Sequence, residues 1–274
     1  MKRIVIIISS GVALLAVVAL LAWQLLTDWP TVPKAQGTCP TAPAEPGPDA
    51  GIHGPLDSLL RAYVIDGVVD YRCLAAHRDQ LSRALDTYAD TDAATLSRDE
   101  QLAFWINAYN AATLEVILRH YPQIDSIREL GGGLGPWKSV TFRLGGRDAI
   151  TLDEIEHGIL RKMNEPRIHF AIVCASKGCP PLRSEAFVAS RLDAQLDDQA
   201  RRLLSDPARG ATFDRERNVL KVTKILEWFG DDFGADPAAR IERIRPWLHD
   251  ELRTVVPADV TLEYLDWDWS LNGQ

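Results

Sequence analysis

The chain has 274 residues, with 30 Lys and Arg against 38 Asp and Glu, six His and four Cys, for a formal net charge of −8. Hydrophobic residues at 46% and charged ones at 25% are ordinary globular values, which exclude wholesale disorder and collagen-like repetition. The acidic balance excludes a nucleic-acid binder, since nothing supplies phosphate-neutralising charge, and four Cys in this length exclude a disulfide-dense miniprotein.

Lys2 and Arg3 precede an uncharged run from Ile4 to Leu26. As a helix rising about 1.5 Å per residue, the run would span roughly 35 Å, enough for a bilayer core. A cleaved signal peptide would have a shorter apolar region ending at small residues. Here Trp23, Gln24 and Trp29 close the run without such a site. Residues 1–26 therefore read as an uncleaved signal anchor, a single-pass helix in the inner membrane. The basic residues hold its N-terminus inside, so the rest faces the periplasm or exterior. Cys39 lacks the small-residue context of a lipid-modified Cys. Residues 27–50 contain six of the 16 Pro and read as an extended stalk. Residues 51–274 remain as one globular domain, and without Lys2 and Arg3 the charge becomes −10.

Along the domain, Leu56–Tyr63 predicts a short helix and Val64–Tyr71 a hairpin turning at Asp66-Gly67. A helix follows from about Ala76 to Tyr88. A longer one starts at Ser97, where Glu100 completes a capping box, and ends by Pro122. Val140–Leu144 and Asp148–Thr151 flank Gly145-Gly146 as a second hairpin. Thr151–Met163 reads as a helix with its own capping box, Thr151 to Glu154. The apolar run Ile168–Val173 reads as a central strand buried on both faces. A helix near Phe187–Leu204, a hairpin across Phe213–Val222, helices at Lys224–Phe229 and Pro237–Leu252, and a strand Thr261–Asp266 complete the chain. Hairpins and helices mix without a strand-helix-strand cycle. The expected class is α+β, a single domain with a largely antiparallel central sheet flanked by helices.

Three clusters could carry chemistry. Cys174 stands at the end of the expected strand, before Ala175-Ser176-Lys177-Gly178-Cys179-Pro180. It could be a nucleophile activated by Lys177, a histidine or loop amides. It could equally pair with Cys179 as a structural disulfide, or cycle with it as a redox dithiol. On Thr151–Met163, Glu154, His157 and Arg161 share one helix face by i, i+3 and i+4 spacing, with Asp153 and Glu156 beside them. A carboxylate against an imidazole raises its basicity, as a general base requires; a charge-laced exposed face is the plainer reading. Asn107 and Asn110, one turn apart on the longest helix, would bind either loop backbone or a ligand. Two motifs are discarded. Gly131–Ser139 has Trp137 where a phosphate loop needs Gly before Lys, and it precedes a strand, which leaves it a mobile loop. His157, His169, Cys174 and Cys179 match no zinc spacing, so no metal and no cofactor is expected. Trp228, Trp247, Trp267 and Trp269 are expected to pack rather than stack on a ligand.

Leu102–Asn110, Ile155–Arg161, His169–Pro180, Lys224–Phe229 and Asp268–Asn272 together resemble the domain of unknown function 547 family, here as a bacterial, membrane-anchored member. The resemblance spans about 170 residues and leaves the anchor and stalk outside it. It implies no settled activity; animal relatives carry the domain beside a glutaredoxin-like one, a hint toward thiol chemistry. Papain-like and transglutaminase-like enzymes join Cys, His and carboxamide groups, but in a chain order not obeyed here, so that likeness is one of fold only. The leading expectation is a thiol-dependent acyl transferase or amide hydrolase acting on an envelope peptide or protein. Cys174 is its nucleophile and His157 the base oriented by Glu154 or Glu156, with Asn107 or His169 on the substrate carbonyl. Asn110, Ser176, Lys177 and Arg161 would also bind substrate. The alternative is a non-enzymatic envelope binding or scaffold module with a structural Cys174–Cys179 bridge.

Overall fold

In the computed structural model, which describes residues 38–40, 42–130 and 135–273, the capping box at Ser97 forms as expected: the Ser97 N–H donates to Glu100 Oε2 at 2.8 Å. The helix it opens, Arg98–Leu118, is buried at every position from Leu102 to Leu118. A helix apolar all round belongs inside a fold, and the larger of two hydrophobic clusters forms around this one. Arg78–Asp90 packs beside it, and Gly54–Tyr63 packs on Arg78–Asp90 in turn. The helix expected from about Ala76 to Tyr88 is Arg78–Asp90, and a separate short helix, Tyr71–Ala76, precedes it where the expected hairpin ends.

The chain divides into two units, Met1–Thr38 and Cys39–Gln274, and the elements of the described residues lie in the second. The expected membrane span lies outside the described residues. The later part of the expected stalk docks on the domain: Cys39 is disulfide-bonded to Cys73, the Gly47 N–H donates to Asp57 Oδ2, and Ala50 is buried. Among the described residues no helix is long and apolar enough to cross a membrane.

Among the described residues the strands form three small sheets rather than a central one. β1 (Val64–Ile65) and β2 (Val68–Val69) make the hairpin expected at Asp66-Gly67, whose positive φ values of 50° and 84° suit its tight turn. β3 (Thr141–Leu144) and β4 (Arg147–Thr151) pair antiparallel around Gly145-Gly146. β5 (Ala211–Asp214), β6 (Val219–Val222) and β7 (Thr261–Tyr264) form the largest sheet, with β6 and β7 parallel. The α+β class stands; the central sheet does not.

Its supposed core strand is the reason. Ile168–Ala171 is one turn of helix, followed by extended Ile172. Periodicity cannot separate a buried strand from a buried helix in so short an apolar run. In place of strand neighbours, Asn110 serves this backbone. Its Nδ2 donates to Ala171 O and its Oδ1 accepts from Val173 N, both at 3.0 Å. Phe170 belongs to the second hydrophobic cluster, which β5–β6 and the C-terminal helices build, while Ile168 and Ala171 belong to the first.

Candidate active site

A cavity of about 520 Å³ opens where the two clusters meet. Its walls are aromatic and apolar: Trp137, Trp228, Trp267 and Trp269, with Phe229, Ile172, Ile225 and Pro180. Trp228 and Trp267 lie 4.7 Å apart by ring centroid, Trp269 stands about equally far from both at 5.9 and 5.8 Å, and Arg128 sits 4.9 Å over the Trp269 ring. The C-terminal tryptophans pack on aromatic neighbours as expected, and Trp228, Trp267 and Trp269 line the cavity as well; Trp247 lies away, against Phe170 with its Nε1–H on Asp197. Trp137 and Lys138 reach the cavity from Gly135–Ser139, a short helix rather than a mobile loop; residues 131–134 lie outside the described residues.

The polar part comes from the Thr151–Met163 segment and its neighbours. Thr151 and Glu154 form the expected capping box, after which Glu154–Ile159 turns as a wider π-helix and Leu160–Met163 as a tight 3-10 turn. Such π turns recur at functional sites. The cap occupies the Glu154 carboxylate, so it does not orient His157. Glu156 points into the cavity instead, where Tyr109 Oη donates to its Oε2 at 3.3 Å. Burial pushes the Glu156 carboxyl up to about 7, against the hydrogen bond from Tyr109 and the Arg161 charge that pull it down.

Beside it runs a chain of contacts that sequence spacing only half reveals. His169 is buried, stacked on Phe229 with centroids 4.2 Å apart, and burial lowers its pKa to about 4. A carboxylate only accepts, so the 2.8 Å contact of His169 Nε2 with Asp232 Oδ2 places the proton on Nε2. Nδ1 is then the bare nitrogen, 4.0 Å from Glu156 Oε1. Arg161 grips Asp232 in a bidentate pair of 2.6 and 2.8 Å, which holds that carboxyl below the usual range. Its third nitrogen lies 3.1 Å from His157 Nδ1; guanidinium only donates, so His157 accepts there and keeps its proton on Nε2, 3.8 Å from Asp153. Burial lowers the His157 pKa, so the ring is neutral at pH 7. The helix-face reading is borne out for His157 with Arg161. It fails for Glu154, and it missed Asp232, 63 residues from His169, for which sequence offers no signal.

Cys174 and Cys179 both line the cavity and are bonded to each other, with Cα atoms 6.3 Å apart. The bridge leaves no thiol for the nucleophile expected at Cys174. The other expected substrate contacts also face elsewhere. Asn107 clamps the backbone of Phe187, donating to its carbonyl at 2.7 Å and accepting from its N–H at 2.9 Å, as Asn110 clamps residues 171–173. Ser176 is buried behind the bridge, where its Oγ accepts from Trp267 Nε1 at 3.0 Å. The Lys177 side chain is exposed off the cavity, and Arg161 reaches the cavity only through its partners. Among the described residues no group of three or more His, Cys, Asp or Glu is placed to hold a metal ion.

The C-terminal tail holds the cysteine loop in place. Lys177 N donates to Ser270 O, Gly178 N to Asp268 O and Asn272 N to Ala175 O, while Tyr71 Oη bonds Asn272 Oδ1. Gly178 has to be glycine, because a Cβ there would meet the Trp267 ring at 2.8 Å.

Fold and site together define a helix-rich α+β domain with two intrachain bridges and an aromatic cavity floored by acid–base groups. Residues 93–204 match the family described as "Protein of unknown function, DUF547". Three of the five resembling segments fall in that stretch, and Lys224–Phe229 and Asp268–Asn272 lie beyond it. No curated protein and no solved structure matches the chain.

Proposed function

We propose that the domain is an exported, membrane-anchored acid–base enzyme of the cell envelope, performing acyl transfer or amide hydrolysis on an envelope peptide or similar substrate. One observation carries the reading: Glu156 holds its proton near neutral pH on the floor of an aromatic-walled cavity, 4.0 Å from the bare Nδ1 of a neutral base, His169. Groups driven to opposite protonation habits in one cleft are the usual basis of acid and base roles. Glu156 is the proton donor to the leaving nitrogen or oxygen. His169 Nδ1, left bare by the Asp232 contact on Nε2, takes the proton of the attacking water or acceptor nucleophile, which His157 with its Nδ1 held by Arg161 cannot do, and the tryptophans hold the apolar part of the substrate. Asp232 and Arg161 are positioning residues that fix the tautomers of the two histidines. The two bridges support an oxidising compartment, as the N-terminal apolar run does.

The test is hydrolysis of envelope-derived acyl-peptide fragments by the purified domain, followed as released amine. The Glu156→Gln change is expected to lower kcat about 10²-fold or more and to abolish the limb of the pH profile on which activity falls as pH rises through about 7. Turnover by Glu156→Gln at the wild-type rate would overturn the reading. Binding of the fragments without turnover would leave the non-enzymatic module, which the commitment of Asn107 and Asn110 to backbone favours.

A further inference from the structure

We infer that the Cys174–Cys179 bridge is exchangeable and that the cavity presents it to a cysteine-bearing polypeptide segment, giving the domain a thiol–disulfide exchange activity independent of the acid–base reading. Both sulfurs belong to residues lining the cavity, yet they are unequal: Cys174 is half-buried and Cys179 only 3% exposed. An incoming thiolate therefore meets Cys174 Sγ, and Cys179 Sγ is the leaving group. That leaving sulfur is already solvated by the fold. The Cys174 backbone N–H donates to it at 2.9 Å, while the Ser176 hydroxyl, 3.5 Å from it, lies nearer to Cys174 Sγ, at 3.1 Å. Hydrogen bonds to sulfur strengthen when it becomes a thiolate, which lowers the barrier to its departure. Ala175, between them, holds a positive φ of 59°, and the tail contacts from Asp268 to Asn272 fix the loop in that form. The loop can thus open its bridge without losing its backbone frame.

The partner is a dithiol, and the steps balance. Its first thiolate attacks Cys174 Sγ, forming a mixed disulfide as the Cys174–Cys179 bond breaks and Cys179 leaves as thiolate. Its second thiolate then attacks the partner's sulfur in that mixed disulfide, and Cys174 leaves as thiolate. Two electrons pass from the partner, which gains a disulfide, to the bridge, which becomes a dithiol; the two protons of the partner thiols end on Cys174 and Cys179 or in solvent. Trp137, Trp228, Trp267 and Trp269 suit a polypeptide whose residues near the cysteine are apolar.

The full domain, incubated at neutral pH with reduced glutathione as the probe, is quenched by alkylation and mapped by peptide mass. The expected adduct is glutathione on Cys174, with Cys179 alkylated and the melting curve still cooperative. A Cys179→Ser variant treated with oxidised glutathione is expected to accumulate at least tenfold more mixed disulfide than Cys174→Ser in the same time. Adduct on Cys179 in the wild type overturns the inference, and so does a bridge that opens only once denaturant has unfolded the chain. If the single-cysteine variants do not fold, the wild-type mapping decides alone. The acid–base reading fails separately, through Glu156→Gln.

Discussion

The domain's two bridges differ in nearly everything but their chemistry. Cys39–Cys73 joins residues 34 apart and fastens the segment leading from the N-terminus to an outer helix; neither cysteine lines the cavity. Cys174–Cys179 joins residues five apart and forms part of the cavity wall. A staple gains by restraining a long loop of the unfolded chain, whereas a loop of a few residues has little to restrain. The first bridge is therefore placed for stability and the second for access. The surroundings agree: His77 and Asp70 tie the first into its helix, while the second shares a cavity with Glu156, His157 and His169.

The sharpest way to break this contrast is to remove the staple. Cys39→Ser with Cys73→Ser is expected to cost about 4 kcal/mol on the chain-entropy model, read as a fall of roughly 8–16 °C in Tm for a domain of this size. Reaction of the Cys174–Cys179 bridge with glutathione should stay unchanged. A stapleless domain as stable as the wild type would remove the distinction between the bridges.

Next in size is the titration of the cavity beside the second bridge. Glu156 has its carboxyl raised to about 7 in the folded chain, against about 4.3 unfolded, so the native state holds a proton that the unfolded state has lost between these values. That stabilisation is complete below pH 4 and disappears as pH rises through 7. The wild type should thus lose roughly 3 kcal/mol relative to Glu156→Gln over that interval. The comparison matters because His169 runs the other way: its pKa is lowered to about 4, so its contribution is lost as pH falls from 6.5. Urea unfolding of both proteins from pH 4 to 8 cancels the histidine. A pH-independent difference would mean that Glu156 is not buried as a neutral acid.

Smaller again is the loss of the short bridge. Cys174→Ser with Cys179→Ser is expected to cost about 2 kcal/mol on the same chain-entropy model while abolishing glutathione exchange altogether. A cost matching that of the long staple would make the second bridge structural after all.

What the sequence revealed follows the range of the interactions. Both capping boxes, at Ser97 and Thr151, and both hairpin turns, at Asp66-Gly67 and Gly145-Gly146, are set by residues within a few positions, and all four formed. The His157–Arg161 contact is also local and was legible. The errors came where tertiary partners decide. Ile168–Val173 has strand composition, but the Asn110 clamp and two flanking clusters make it a turn of helix and an extended link. Asp232 completes the site from a separate short helix, Gly230–Phe233, and the tryptophan wall assembles from three segments. Glu154 had two local roles open to it, and the shorter-range one, the cap, prevailed.

The finest test within the cavity concerns the hydroxyl that touches Glu156. Tyr109 is buried, its Oη 3.3 Å from Glu156 Oε2, and burial holds its phenol proton on far above neutrality. It can therefore donate to an ionised Glu156, and that hydrogen bond favours the charged form. Removing the donor in Tyr109→Phe takes away support from the carboxylate and leaves its burial intact. The Glu156 titration should then move upward by less than about one pH unit, worth under about 1.4 kcal/mol. Stability relative to the matching Glu156→Gln double variant reads that shift, since its midpoint follows the carboxyl. A downward shift would show that Tyr109 accepts from a protonated Glu156 instead of donating to it. The proton would then be held between these two groups, and Glu156 would be a weaker acid donor to substrate than its pKa alone implies.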